Sequence, residues 1–188
     1  MATNFPSSLD SFTNPSASDA LDSVSVPHAD QHANLNDAME AVQAKLGVGA
    51  GTIGDTSTTY TPTWTSSGTA PTLGNSTLSG RYIKMNKLVW VQILFIRGST
   101  ATNGTGIYYW SLPSGITARA GLYGFMSQGV ARLYDASPAT VYIGQASFYG
   151  GATDKIMAYT SSNAVGATSP FTFATNDEVV MTFTYEAA

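Results

Sequence analysis

The sequence predicts a mainly β protein: an extended N-terminal arm and a short coiled-coil helix, followed by an antiparallel, jelly-roll-like β-sandwich. Three observations predict it. One stretch, His28 to Leu46, carries a convincing helical period. From Tyr60 onward the period of the apolar residues changes to two, in many short runs. Turn residues separate those runs, among them Asn103-Gly104, Pro113-Ser114-Gly115, Ser137-Pro138, Gly150-Gly151 and Asn176-Asp177.

Residues 1–27 read as a polar arm. Phe5, Leu9 and Phe12 are scattered among Ser, Asp, Asn and Pro with no lasting period. Such a segment is either a disordered terminus or an arm that orders on a partner surface. On the second reading these three residues are its anchors, filling pockets on the partner.

Residues 28–47 read as an oligomerisation helix. His28, His32, Leu35, Met39, Val42 and Leu46 are spaced 4, 3, 4, 3, 4. That spacing makes an a/d seam, the pattern of a helix that pairs with copies of itself. Asp30 is the expected N-cap and Gly47 the expected αL stop. So short a helix is marginal alone in water. Its stripe must be covered, by the chain's own β region or by a bundle of several chains, and the seam favours the bundle.

Residues 48–59, rich in Gly, Ser and Thr, read as a flexible linker. The β region spans residues 60–188. Tyr60-Thr61-Pro62-Thr63-Trp64 reads as an edge strand, because Pro62 cannot donate to a ladder. Arg81–Met85 and Leu88–Arg97 flank Asn86-Lys87, the signature of a tight hairpin. Further strands are expected at 106–112, 121–127, 129–134, 140–148, 155–160 and 178–185.

Two stretches carry a resemblance. Asn4-Phe-Pro-Ser-Ser-Leu-Asp-Ser-Phe-Thr13, then Val26-Pro-His-Ala-Asp-Gln-His-Ala-Asn-Leu-Asn-Asp-Ala-Met-Glu-Ala-Val-Gln-Ala-Lys-Leu-Gly47, resembles the N-terminal segment of many virion proteins of tailed bacteriophages. These include tail fibres, minor tail proteins and head-fibre or capsid-decoration appendages. The order Tyr60–Trp64, Gly80–Gln92, Tyr108–Pro113 and Phe183–Glu186 is similar, more loosely, to C-terminal β domains of phage fibre and minor tail proteins. The resemblance implies attachment to a virion and assembly into oligomers, commonly trimers, with capsid or tail proteins as partners.

The longest apolar strand has two distinct faces. Val89, Val91, Ile93 and Phe95 form one, the expected core. Leu88, Trp90, Gln92, Leu94 and Ile96 form the other, which is more apolar than the solvated side of an antiparallel sheet should be. Either another layer of the domain or a neighbouring chain covers Leu88, Trp90, Leu94 and Ile96.

Composition narrows the function. Among 188 residues only 11% are charged, against roughly 25% in average globular proteins. A surface of hydroxyls and amides suits a protein that packs against copies of itself. The net charge of −4, with no basic stripe, argues against nucleic acid. No cysteine exists, so disulfides and thiolate chemistry are excluded. No Sec-type signal is visible, and the Leu88–Ile96 run is too short to span a bilayer as a helix. Synthesis in the cytoplasm is expected from these features, and localisation to a virion is what the resemblance implies.

Enzyme chemistry finds little to use. The only histidines are His28 and His32, so the β region holds none for a Ser-His-Asp triad. Its acids are Asp135, Asp154, Asp177, Glu178 and Glu186, all near expected turns or strand ends. No glycine cluster precedes Lys-Ser or Lys-Thr, so no phosphate loop is present. His28 and His32 are the candidate metal ligands, and no cofactor is expected. Phe148, Tyr149 and Asp154, in the loop 148–154, are the candidate contacts for a host glycan.

The expectation is thus an oligomeric fibre, spike or decoration protein of a phage virion, with its β domain projecting outward. The alternative is a receptor-binding module for a host glycan, and a depolymerase is the weakest reading.

Overall fold

The computed structural model describes residues 18, 20, 21, 24, 28–46, 57–121, 127–161 and 163–188. The chain divides into two compact units, Met1–Thr56 and Ser57–Ala188.

In the first unit, helix α1 runs from His28 to Leu46, the span that the 4-3 spacing predicts. Asp30 falls inside its first turn and is not the N-cap expected. There a carboxylate still favours the helix start, by complementing the partial positive charge of the free N–H groups. The seam residues of the single chain are open: Leu35 is 60% exposed, Met39 52% and Val42 36%. The better-covered side is a neighbouring one, with Asn34 buried and Gln31, Ala38 and Ala41 half-buried. Phe5, Leu9, Phe12, Gly47 and most of the expected linker lie outside the described residues, as does the side chain of Leu46.

Among the described residues the second unit has nine strands: β1 Thr58–Tyr60, β2 Trp64–Ser66, β3 Thr77–Met85, β4 Leu88–Ile96, β5 Tyr108–Ser111, β6 Ser127–Asp135, β7 Thr140–Ser147, β8 Lys155–Thr160 and β9 Glu178–Glu186. All the pairings are antiparallel, in the order β1-β3-β4-β9-β6-β7-β8-β5-β2. The sandwich and jelly roll expected from the sequence are corrected here. One continuous sheet curls into a half-barrel, so the facing layers of the core are two parts of the same sheet. Strand β8 makes the corner: its start, Lys155-Ile156, pairs with β5, and Met157–Thr160 pair with β7. A strand that changes partner along its length is a standard way to turn a sheet.

The stretch 60–64 is also corrected. It is not one edge strand. Thr58 and Thr59, expected in the linker, already pair with Tyr82 and Arg81. Trp64 pairs with Trp110 at the opposite end of the sheet. Between them Pro62 interrupts the ladder, having no N–H to donate. The link Thr61-Pro62-Thr63 therefore joins the two ends of the sheet. The Tyr60 hydroxyl donates to the Ser111 carbonyl across this junction (3.4 Å), and the Thr63 N–H donates to the Ser111 hydroxyl (2.9 Å).

Local chemistry explains the hairpins. Asn86 adopts φ 55° in the two-residue turn between Met85 and Leu88, a conformation Asn tolerates better than most residues. Gly80 lies beneath the Tyr60 ring, which occupies the space that a Cβ would take. The expected strand at 121–127 is outside the described residues except at its two ends.

The concave face holds the core. Val89, Val91, Ile93 and Phe95 of β4 are fully buried, as their alternation predicts. Val179, Met181, Phe183 and Tyr185 of β9 lie beside them. An aromatic cluster fills the bend: Trp64 meets Phe95 at 4.6 Å and Tyr108 at 4.9 Å, and Tyr108 meets Phe173 at 5.6 Å between centroids. Each large side chain buried here contributes about 1.5–3 kcal/mol.

Polar groups tie loops to this core. The Tyr185 hydroxyl donates to the Ile116 carbonyl and the Tyr108 hydroxyl to the Asn103 carbonyl, both at 2.7 Å. The buried Asp177 carboxylate accepts from the Ala136 N–H at 2.9 Å and the Ala174 N–H at 2.6 Å. It fixes the turn entering β9 against the turn leaving β6.

Candidate functional site

The convex face of the sheet carries the four apolar β4 residues singled out from the sequence. Leu88 is exposed, and Trp90, Leu94 and Ile96 are half-buried. Antiparallel register sets Ile83 beside Trp90, Met85 beside Leu88 and Val180 beside Leu94. Val130, Val141 and Ile143 add exposed apolar surface on β6 and β7. The cations on this face are held by neighbours. Arg81 donates to Gln92 (2.9 Å) with its guanidinium over Trp90 (5.6 Å), and Arg132 pairs with Glu178 (3.0 Å). The face is therefore broad and mainly apolar, with few charges.

A second feature is an open pocket of about 440 Å³ beside the corner strand. It exists because the chain leaving β8 folds back. Thr160 N–H donates to the Asn163 carbonyl and Val165 N–H to the Ala158 carbonyl, each at 2.9 Å. The returning segment then docks on the start of β5 and the residues leading into it, with Tyr108 N–H donating to the Val165 carbonyl (2.9 Å) and Ala167 N–H to the Gly106 carbonyl (3.1 Å). The walls include Tyr149, Tyr159, Asn163, Thr168 and Ser169. Tyr149 is 41% exposed and lies 6.0 Å from the Tyr109 ring, over which Lys155 places its ammonium at 4.8 Å. Burial, reinforced by Tyr149, raises the Tyr109 hydroxyl above the ordinary tyrosine pKa, against a hydrogen bond with Ser67. Aromatic faces beside amide and hydroxyl groups are what a neutral, hydroxyl-rich ligand needs.

The candidate glycan residues separate. Tyr149 lines the pocket. Phe148 does not: it is fully buried and packs edge-on against Tyr185 at 6.0 Å, which corrects its reading as a surface contact. Asp154 is exposed outside the pocket wall, and its carbonyl accepts from the Leu112 N–H (2.8 Å). Sequence reasoning missed Asn163, Tyr159 and Ser169 as wall residues. Tyr159 could have been found: on β8 it alternates with Ala158 and Thr160, both buried, and so faces the other way.

Apart from Asp154, the acids of the β unit are engaged in structure through their carboxylates. Glu178 and Glu186 pair with Arg132 and Arg119, Asp177 holds two turns, and Asp135 accepts from the Ser137 N–H (3.2 Å). On α1 the exposed rings of His28 and His32 bring their Nε2 atoms within 3.1 Å. Among the described residues no group of three or more His, Cys, Asp or Glu is placed to hold a metal ion. No described helix is long and apolar enough to cross a membrane.

No protein-family model matches the chain, and neither a curated protein nor a solved structure matches it.

Proposed function

We propose that this chain is a structural appendage of a tailed-phage virion, a trimeric fibre, spike or decoration protein. The N-terminal arm attaches to capsid or tail proteins through Phe5, Leu9 and Phe12. Helix α1 gathers the chains as a short coiled coil, and the β unit projects outward. The resemblance of residues 4–47 to phage virion proteins supports the setting. The observation that carries self-association is the open seam: Leu35, Met39 and Val42 sit at 4-3 spacing on one side of α1 and remain exposed on a single chain. The convex face bearing Leu88, Trp90, Leu94 and Ile96 is the proposed contact between neighbouring β units. Once the helices gather the chains, the effective concentration of these faces rises. No catalytic group is required for this role.

Sedimentation of the full-length chain tests it. Wild type is expected to run as an oligomer, and Leu35→Asp combined with Val42→Asp as a smaller species. A wild-type monomer at micromolar concentration overturns the bundle. Deleting residues 2–24 is expected to leave oligomers that no longer join particles. Incorporation of the truncated chain at normal copy number overturns the arm as anchor.

The pocket favours a second reading, recognition of a host glycan. Wild-type protein is then expected to bind purified host-surface polysaccharide, and Tyr149→Ala to lose that binding. Equal binding by both proteins removes the pocket from the account.

A further inference from the structure

The appendage reading leaves two imidazoles at the start of α1 without a chemical task. His28 and His32 are one turn apart, so the helix puts both rings on the same side. Their Nε2 atoms stand 3.1 Å apart, with centroids at 4.4 Å and planes at 75°. Both residues are exposed. Two imidazole nitrogens bound to one ion each lie about 2.0–2.1 Å from it. At a tetrahedral or octahedral angle they are then separated by roughly 2.9–3.4 Å. The rings already hold that spacing.

We propose that His28 and His32 form a two-histidine chelate for a divalent transition ion of the zinc, nickel or copper class. The donor set decides the class. Neutral imidazole suits these ions, whereas magnesium and calcium prefer oxygen ligands. Without the ion, one Nε2–H donates to the other ring's Nε2 at the same distance. Binding replaces that hydrogen bond: the donor ring moves its proton to Nδ1 by exchange with water, and the ion then takes the lone pair of both Nε2 atoms. Two protein ligands leave the other coordination positions to water, so the ion exchanges readily. Its effect is local and mechanical. The chelate holds positions 28 and 32 at helical spacing and so stabilises the first turn, the costliest part of helix formation. This site does not depend on the virion setting.

The test uses the full-length chain with zinc chloride and nickel chloride, followed by calorimetric titration and far-ultraviolet circular dichroism. The expected result is one ion per chain, a higher melting temperature for the helical signal, reversal by a chelator, and no response to magnesium. His28→Ala and His32→Ala are each expected to abolish binding. Alanine favours helix, so neither substitution should unfold α1, and the metal-free spectrum checks this. His32→Gln provides a second variant of similar length. Unchanged binding in any variant overturns the proposal. So does an equal response to magnesium, a helical signal indifferent to the ion, or one ion shared among several chains.

Discussion

The rings of Trp64 and Phe95 meet with centroids 4.6 Å apart, although β2 is last and β4 third in the order of the sheet. The contact marks where the curled sheet faces itself. Phe95→Ala would leave a void lined by Trp64 and Trp110, too enclosed to collapse freely. A loss of about 3–5 kcal/mol is expected. Urea unfolding followed by tryptophan fluorescence measures it. A loss no larger than that of a surface substitution would mean that the two layers do not press on each other here.

Three tyrosine hydroxyls make the fold sensitive to alkali. Burial pushes Tyr108 up to about 12, with Arg97 opposing the rise. Burial likewise raises Tyr60 and Tyr185 well above the usual tyrosine value, with Tyr185 and Tyr82 respectively adding to the effect. Each hydroxyl donates to a backbone carbonyl, which a phenolate cannot do. The folded chain therefore keeps protons that the unfolded chain releases near pH 10. The stabilisation from Tyr108 is whole below about pH 10 and is lost as the pH rises through about 12, and that from Tyr60 and Tyr185 is lost at still higher pH. The urea midpoint is expected to hold at mildly alkaline pH and then to fall steeply. Tyr185→Phe should flatten that fall, and an unchanged slope would exclude Tyr185 as a contributor.

Asp177 offers a third test. Asp177→Ala removes the acceptor of the Ala136 and Ala174 N–H groups from a fully buried site. A loss of about 3 kcal/mol is expected, since hydrogen bonds to charged groups contribute about 1.5–3 kcal/mol each. The denaturation midpoint should fall with little change in its slope. Asp177→Asn should lose less, because its amide oxygen still accepts one of the two bonds. Equal losses in the two variants would show that packing, not hydrogen bonding, governs the site.

The proposed contact of β units predicts protection of Trp90. Soluble quenchers should reach Trp90 in the Leu35→Asp, Val42→Asp variant more readily than in wild type. Trp64 and Trp110 are buried in the core and should respond equally in both proteins. A Trp90→Phe control isolates the Trp90 signal. Identical quenching of Trp90 in the two proteins would show that this face is not an interface.

Much of the fold was legible wherever one physical rule dominated. The β4 face was readable because side chains alternate strictly along a strand, and the β3–β4 hairpin because Asn86 suits its turn. Helix α1 was readable from spacing alone. The order of the strands was not, since it depends on contacts between residues far apart in sequence. That is why Tyr60 and Trp64 looked like members of one strand although they lie at opposite ends of the sheet. Phe148 was misread for a different reason. It continues the inward series Tyr142, Gly144 and Ala146 past the end of β7, but its glycine-rich surroundings suggested a surface loop. Tyr149 alone of the glycan candidates reached the pocket, because the other walls come from a segment that folds back only after β8 is complete.

The three-residue link between Tyr60 and Trp64 has a mechanical consequence. A pull on the chain ahead of Ser57 first loads β1, which holds β3 over Thr58–Tyr60 alone. Once β1 slides, the tension passes through Pro62 to β2 on the far rim. The rim strands would then yield one after the other, while β4 and β9, zipped over nine residue pairs, stay unloaded behind them. A tether entering here can stretch in small steps, and the central strands keep their register until both rims have given way.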